Sequence, residues 1–315
     1  MVLTFMRGFL IFLLLLGGFT SCQRKQQATV PLAVPVRPGA PLELNLMSFN
    51  VRYENAEDVG DRSWSRRIVE SVHLIRRESP DIFGVQEAMH GQVADLWASL
   101  PEYGFFGVGR DDGKWAGEYA GIFYRKDRFE ADLTDSGVQW LSDTPDVAGS
   151  RTWGSSFARI VTWIRLIDRS TGRGLYAFNT HFDHKNQYAR ERSALFIAAK
   201  MDARKHPNEP FFLMGDLNAV ESNPAVSYLT GKSVTVAGKT TRWEGGALLD
   251  TFQSLHAGQK DRRTLHFWSR NQSGTLKVDH ILVFPGAQVL KSAIVTKWPG
   301  MVSDHFPVTA KVVFP

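Results

Sequence analysis

The chain has 315 residues, 43% hydrophobic and 22% charged, a balance that supports a sizeable packed core and excludes a chain disordered throughout. Thirty-seven basic against 32 acidic residues leave a formal net charge of +5; this small excess mildly favours anionic partners, and no run of five or more basic residues marks a dedicated nucleic-acid face. A single cysteine excludes a disulfide framework.

In chain order, Arg7 precedes an apolar run from Phe9 to Leu16, followed by Gly17-Gly18 and Phe19-Thr20-Ser21-Cys22. A basic start, a short apolar segment and small residues before the break predict an export signal, too short to span a bilayer comfortably. With cysteine at the break, residues 1–21 resemble a bacterial lipoprotein signal. The resemblance implies acylation of Cys22 and an exported, membrane-anchored protein, periplasmic or at the outer membrane or cell surface. Residues 22–41 turn polar and then proline-rich, with Pro31, Pro35, Pro38 and Pro41 spaced three or four apart, which predicts an extended tether. The folded domain is therefore expected over 42–315.

Within it, Leu44–Phe49 reads as a strand. Trp64, Ile68, Val72 and Ile75 recur at helical spacing with Ser63 available as N-cap, predicting a helix over Trp64–Ile75. Further strands are expected at Ile82–Val85, Gly121–Tyr124, Arg159–Ile167, Leu175–Asn179, Phe211–Met214, Val278–Val283 and Phe306–Val313. Helices are expected at Gly91–Ser99 and Gln187–Met201, the latter with Ala194, Ile197, Ala198 and Met201 along one side. No internal repeat or second linker appears, so one α/β domain is the simplest account.

Several of these strands end in acids, amides or imidazoles: Asn50, Glu87, His181, Asp216 with Asn218, Asp279, and the pair Asp304-His305. Each has an ordinary explanation alone. Asp216-x-Asn218 is also a turn or cap pattern, and a lone acid after a strand is often a solvated helix-start charge. Six such sites together predict one polar edge where strand ends converge. Their composition suits Mg²⁺-assisted hydrolysis, because Mg²⁺ takes hard oxygen ligands from one or two carboxylates plus water and phosphate. Glu87 is the first candidate ligand, with Asn50 and Asp304 beside it. No H-E-x-x-H or paired cysteines favour Zn²⁺. His305, with Asp279 on its other nitrogen, fits a general base or a contact to the transition state.

Ser48-Phe49-Asn50, Val85-Gln86-Glu87, Thr180-His181-Phe182-Asp183, Gly215-Asp216-Leu217-Asn218, Val278-Asp279-His280-Ile281 and Ser303-Asp304-His305-Phe306-Pro307 resemble the ordered motifs of the endonuclease/exonuclease/phosphatase superfamily. The resemblance implies an α/β (α+β) four-layer sandwich, two mixed β-sheets packed face to face with helices on the outside. It implies Mg²⁺ at Glu87 and Asn50, with Mn²⁺ as a substitute. It implies that Asp216 and Asn218 position the water and a phosphate oxygen, and that Asp279 and Asp304 support His305. His181 looks like a second histidine of the deoxyribonuclease branch, paired there with a glutamate; Glu118 sits in the matching segment. Arg52 stands where some relatives place a second metal-binding acid, and its fork could clamp a phosphate instead. Asp183 and Arg190 belong to a segment resembling a bacterial exported subgroup, and could line the pocket or serve a helix start.

Nine tryptophans are many; most are expected in the core, with Trp153 and Trp268 as candidates to stack on substrate. The expected partner is a phosphoester, whether nucleic acid, phospholipid headgroup or phosphosugar, acted on by a monomer. A sphingomyelinase-like lipid-headgroup enzyme and a non-catalytic, glycan-binding surface lipoprotein are the alternatives.

Overall fold

The computed structural model describes residues 39–315, so the expected export signal, Cys22 and most of the tether lie outside the described residues. In chain order the elements are β1 (Leu42–Asn50), α1 (Trp64–Glu78), β2 (Ile82–Ala88), α2 (His90–Ser99), β3 (Tyr103–Phe106), β4 (Tyr119–Arg125), β5 (Phe129–Trp140) and β6 (Ile160–Asp168). There follow β7 (Gly174–His181), α3 (Gln187–Asp202), β8 (Phe211–Asp216), α4 (Pro224–Leu229), β9 (Val234–Val236), β10 (Lys239–Thr241), β11 (Leu249–Asp250), α5 (Thr251–Leu255), β12 (Asp279–Val283), β13 (Gln288–Ile294) and β14 (Val308–Phe314).

Two six-stranded sheets carry the fold. One runs β13-β14-β1-β2-β4-β3 and the other β11-β12-β8-β7-β6-β5, with β9 and β10 as a separate hairpin. Both sheets are mixed: β1 pairs parallel with β2 and β7 parallel with β8, while the other pairs are antiparallel. The two-residue side-chain period then assigns each face. Leu42, Leu44 and Leu46 of β1 pack with Ile164, Leu166, Leu175, Phe212 and Ile281 of the opposite sheet, forming the core between the sheets. Met47 and Phe49 point the other way, onto Trp64, Val72 and Ile75 of α1 and Val93 and Leu96 of α2. On the far side, Tyr176, Phe178, Phe211 and Leu213 meet Ala194, Ile197 and Met201 of α3 and Val226 and Leu229 of α4. The layers are thus helix, sheet, sheet, helix, the expected sandwich.

One polar clasp crosses the apolar layer. Asn179 of β7, fully buried, donates from Nδ2 to the carbonyls of Val85 (2.9 Å) and Gly121 (2.8 Å) on the opposite sheet, and its Oδ1 accepts from Gln86 Nε2 at 2.7 Å. This approach requires Gly84, because a Cβ there would lie 2.7 Å from the Asn179 side chain.

The structure departs from expectation chiefly at edges. The strands expected from Arg159, Val278 and Phe306 begin at Ile160, Asp279 and Val308, and the helix expected from Gly91 begins at His90. Edge strands β3, β5 and β13 escaped the sequence pattern. β5 carries Glu130, Asp132 and Asp135, and β13 exposes Gln288, Leu290 and Lys291, so neither shows a continuous apolar run. Among the described residues no helix is long and apolar enough to cross a membrane.

Replacing Asn179 with Ala would take its side-chain partner from two interior carbonyls and leave the Gln86 amide with only a 3.3 Å bond to Ser48. An unpaired buried polar group costs ~1–3 kcal/mol, so Asn179→Ala should lose at least ~2 kcal/mol in urea unfolding. A change within measurement error would show that the sheets hold their offset without the clasp.

Candidate active site

Strand register gathers the polar residues at one edge. His181 at the end of β7 is paired with Asp216 at the end of β8, and Asp216 is paired with Asp279 at the start of β12. On the facing sheet Asn50 ends β1 opposite Gln86, next to Glu87. His305 joins from the segment before β14 through a bridge to Leu265. Gly215 permits the tight pairing, since a Cβ on it would lie 2.2 Å from the Thr180 carbonyl. Three non-glycine residues here adopt left-handed backbone: Arg52 (φ 57°), Glu87 (φ 63°) and Asn218 (φ 46°). Such backbone costs of order 1–3 kcal/mol per residue and persists where surrounding contacts enforce it.

Those contacts are visible. Asn50 Nδ2 donates to Glu87 Oε1 (2.9 Å) and Asp216 Oδ2 (3.0 Å), while Asn50 Oδ1 accepts from the Arg52 amide at 2.9 Å. Glu87 Oε2 accepts from the Tyr53 amide at 3.2 Å, and Asp216 Oδ1 accepts from the Asn218 amide at 2.8 Å. Asn218 Nδ2 donates to the Phe182 carbonyl (3.0 Å) and lies 2.9 Å from His181 Nε2. His305 Nδ1 is 2.9 Å from Asp279 Oδ2, and its Nε2 faces Asp216 Oδ2 at 3.9 Å.

The turn carrying Arg52 is held from behind. Arg67 of α1, fully buried, donates to the carbonyls of Arg62, Val51, Val302 and Arg52, and burial lowers its pKa to about 10. Gln92 of α2 adds a bond from Nε2 to the Arg52 carbonyl at 3.0 Å. Behind β12, buried Lys277 Nζ lies 3.0 Å from Asp250 Oδ2, and His280 Nδ1 lies 2.7 Å from the same oxygen. His280 Nε2 sits 2.9 Å from the carbonyl of Ala219, fixing the chain just past Asn218.

Burial and crowded charge set the protonation states. Asp216 is pushed up to about 7 by burial and then by Asp279. Burial would also raise Asp279, yet His305 holds it below the usual carboxylate range. Burial works against a charged His305, but Asp279, with Asp216 and Asp304 nearby, raises it well above the usual histidine value. His181 goes the opposite way: burial first, then the Arg159 guanidinium, keep it neutral at pH 7. A neutral ring with its proton on Nδ1 can accept from Asn218 at Nε2. Asp304 is raised by burial and by Glu87. Asp216 and Asp304, each raised by neighbouring carboxylates, mark a site crowded with negative charge, and one oxygen of Glu87, one of Asp216 and a ring nitrogen of His305 lie within 4.8 Å of one another. The two carboxylate oxygens fit a divalent cation of the Mg²⁺ or Mn²⁺ type, while the protonated His305 ring stands beside them as a hydrogen-bond donor and not as a ligand.

Other residues singled out in the sequence lie differently. Glu118 does not hydrogen-bond His181: it is 3.6 Å from Nδ1, and its carboxylate is taken bidentately by Arg110 at 2.6 and 2.9 Å. Arg52 bonds Asp58 at 3.2 Å and reaches Asp304 only at 4.0 Å. Asp183 is buried and accepts the amides of Ser156, Lys185 and Asn186, while Arg190 donates to the Asp183 carbonyl and to Gln187. Both therefore order the approach to α3 instead of facing a ligand. Trp153 is buried, with its indole N–H on Asp143 and its ring against Phe196 and Arg192, so it has no free face to stack on substrate. Trp268 is half-buried with Arg62 and Arg67 over its ring.

Two arginines that sequence pattern did not single out stand out here. Arg159 is buried with Nε and Nη1 unpartnered, and Arg110 is buried with Nε unpartnered. Both line one small cavity with Glu118 and His181. Buried guanidinium N–H groups without acceptors are costly, and a cavity of about 10 Å³ has room for a single water to satisfy them. An arginine at the start of a strand gives no such signal in sequence.

The model of the Endonuclease/Exonuclease/phosphatase family matches residues 47–305. The chain is similar to a solved endonuclease/exonuclease/phosphatase from Bacteroides vulgatus, with 35% identity and TM-score 0.76 over 87% of this chain and all of that one. It is similar at 32% identity and TM-score 0.74, over 86% of this chain and all of the other, to a mannosyl-6-phosphatase of Bacteroides thetaiotaomicron. An uncharacterized protein of Acanthamoeba polyphaga mimivirus is 27% identical over 162 residues, 49% of this chain; the chain spans 59% of that relative's length. The strand-end residues, the two-sheet sandwich and these likenesses agree: the chain belongs to the endonuclease/exonuclease/phosphatase family, whose members hydrolyse phosphoesters.

Proposed function

We propose that the protein is an exported, lipid-anchored, Mg²⁺-dependent phosphoester hydrolase whose substrate is a phosphosugar. The observation that carries the chemistry is the pairing of an Asp216 poised near neutrality with a His305 kept cationic by Asp279. Similarity to a mannosyl-6-phosphatase favours a phosphosugar over nucleic acid or a lipid headgroup.

Glu87 would hold the cation, with Asp304 and the Asn50 amide beside it. The ion supplies neutralisation of the charge on the phosphoryl oxygens. Asp216, whose pKa of about 7 suits a general base, takes the proton of the attacking water. The Asn218 amide, fixed by Phe182 and His181, orients that water. The His305 imidazolium donates a hydrogen bond to a phosphoryl oxygen as charge gathers there, the work of an electrostatic transition-state contact. Neutral His181 leaves Asp216 without a second cationic neighbour that would lower its pKa, so Asp216 keeps the proton affinity of a base near pH 7. The export signal and acylated Cys22 would place this site outside the cytoplasm.

Hydrolysis of a sugar phosphate should stop in excess chelator and return with Mg²⁺ or Mn²⁺. His305→Ala, checked for folding by circular dichroism, should lower kcat by ~10²- to 10⁴-fold; full turnover in chelator or in this variant would remove the mechanism. A base must be deprotonated to act, so kcat/KM is expected to fall as pH drops through about 7, and Asp216→Asn should abolish that acid limb along with most of the rate. Bound Mg²⁺ stabilises the carboxylate form, so raising its concentration should move the limb to lower pH. For the anchor, expression in a bacterial host fed labelled palmitate should label the wild-type chain but not Cys22→Ser; equal labelling of both would exclude acylation at that residue.

A further inference from the structure

Beside the catalytic centre a second concavity opens, of about 520 Å³, between α2 and the turn that leads into β4. Its walls are aromatic: Trp97, Phe105, Trp115 and Tyr119, with His90 and Lys114 supplying polar groups. Trp115 is 72% exposed and Trp97 48%. Burying an aromatic ring is among the larger gains open to a folding chain, so two indoles left in water along one cleft are not accounted for by packing.

The walls are held in place. Trp115 stacks on His90 at 5.6 Å with planes 24° apart. His90 Nδ1 lies 3.1 Å from the Tyr119 hydroxyl, which donates to the Lys114 carbonyl at 2.9 Å. The turn itself is laced by backbone bonds from Gly109 to Lys114, Arg110 to Glu118 and Asp111 to Ala116, at 3.0–3.1 Å. Asp112 Oδ1 accepts the amides of Lys114 (2.7 Å) and Ala116 (2.9 Å). Trp97 is fixed by its indole N–H on the Tyr103 carbonyl at 3.1 Å and by Phe105 at 5.9 Å. Rigid aromatic faces with a few polar groups at the rim have the make-up of a preformed small-molecule site.

The cleft and the catalytic centre share a wall. Tyr119 lines both this cleft and the small cavity formed by Arg110, Glu118, Arg159 and His181. His90 lies three residues after Glu87, so their Cα atoms are at most ~11 Å apart. Tyr119 itself is buried, so the remainder of a ligand whose phosphate sits at the catalytic centre would reach the aromatic walls over the exposed rim at His90.

We propose that this cleft is the glycone subsite, in which Trp115 and Trp97 take the C–H faces of pyranose rings while His90 and Lys114 meet the hydroxyls; the proposal rests on the phosphosugar reading. A pyranose presents a flat array of C–H bonds on one side and hydroxyls around its edge, which matches apolar walls with a sparse polar rim. The volume exceeds one ring and suits a phosphorylated oligosaccharide or glycoside. A nucleobase could also stack here, and the test separates the two.

The experiment compares kcat/KM for mannose 6-phosphate, glycerol phosphate and a nucleoside monophosphate, using wild type, Trp115→Ala and Trp115→Phe. Trp115→Ala should lower the preference for mannose 6-phosphate over glycerol phosphate about 10-fold, the scale of one lost aromatic contact, mainly through KM. Trp115→Phe should restore most of it, and melting temperatures should match because the residue is exposed. An unchanged preference, or a loss seen only with the nucleoside monophosphate, overturns the glycone assignment. If wild type hydrolyses none of the three, the phosphosugar reading fails by itself. Saturation-transfer NMR with an unphosphorylated methyl mannoside then decides the cleft alone: transfer lost in Trp115→Ala supports it, and transfer equal in both proteins or absent from both overturns it.

Discussion

The two sheets meet across an apolar layer that by itself would tolerate sliding, and the Asn179 clasp removes that freedom. Hydrophobic burial is non-directional, so contacts among Leu44, Ile164 and Phe212 set that the sheets pack without setting their offset. The Asn179 amide bonds to Val85, Gly121 and Gln86 are directional. Asn179 lies two residues from His181 on one sheet, and Val85 and Gln86 lie two and one from Glu87 on the other. Fixing that offset places Glu87 and Asn50 of one sheet within bonding reach of Asp216 of the other. Every further property of the site, including its crowded charge, follows from this placement.

Crowding alone would drive the acids apart, and the fold opposes it from outside. Arg67 spends its whole guanidinium on backbone carbonyls around Arg52 and Val302, which fixes a strained turn without neutralising the acids directly. Lys277, Asp250 and His280 form a buried charged group whose outermost contact is the Ala219 carbonyl. Buried ion groups are poor sources of net stability; their value here is geometric, because each ends on the backbone beside Asn50, Asn218 or Asp304.

Much of this was legible in sequence, for identifiable reasons. Central strands such as β7 and β8 are covered on both faces and so read as unbroken apolar runs; the change to a polar residue at Asn50, His181 and Asp216 then marks where each strand reaches solvent. Edge strands lack that contrast, and β5 and β13 were missed for it. Partnership was less legible than presence. Glu118 could be placed near His181, but its capture by Arg110 depends on the turn between them. Asp183 accepts backbone amides, and Arg190 bonds the Asp183 carbonyl and the Gln187 side chain. Trp153 and Trp115 are the same residue type in loop-like segments, and one is buried while the other is 72% exposed, a difference set by tertiary packing that local pattern does not carry.

The two site histidines show how position alone divides roles between identical side chains. Both are buried, and burial disfavours their charge equally in kind. His305 abuts Asp279 and faces Asp216, so the carboxylates overcome burial and the ring is a cation. His181 faces Asp216 as well, at 3.4 Å, but has Arg159 beside it and a glutamate already neutralised by Arg110. The balance reverses and the ring stays neutral. Burial first, with Arg159 adding to it, leaves His181 a hydrogen-bond acceptor, while the Asp279 hydrogen bond makes His305 a positive charge. Arg159 deepens an asymmetry whose root is the carboxylate partner that His305 has at Nδ1 and His181 lacks.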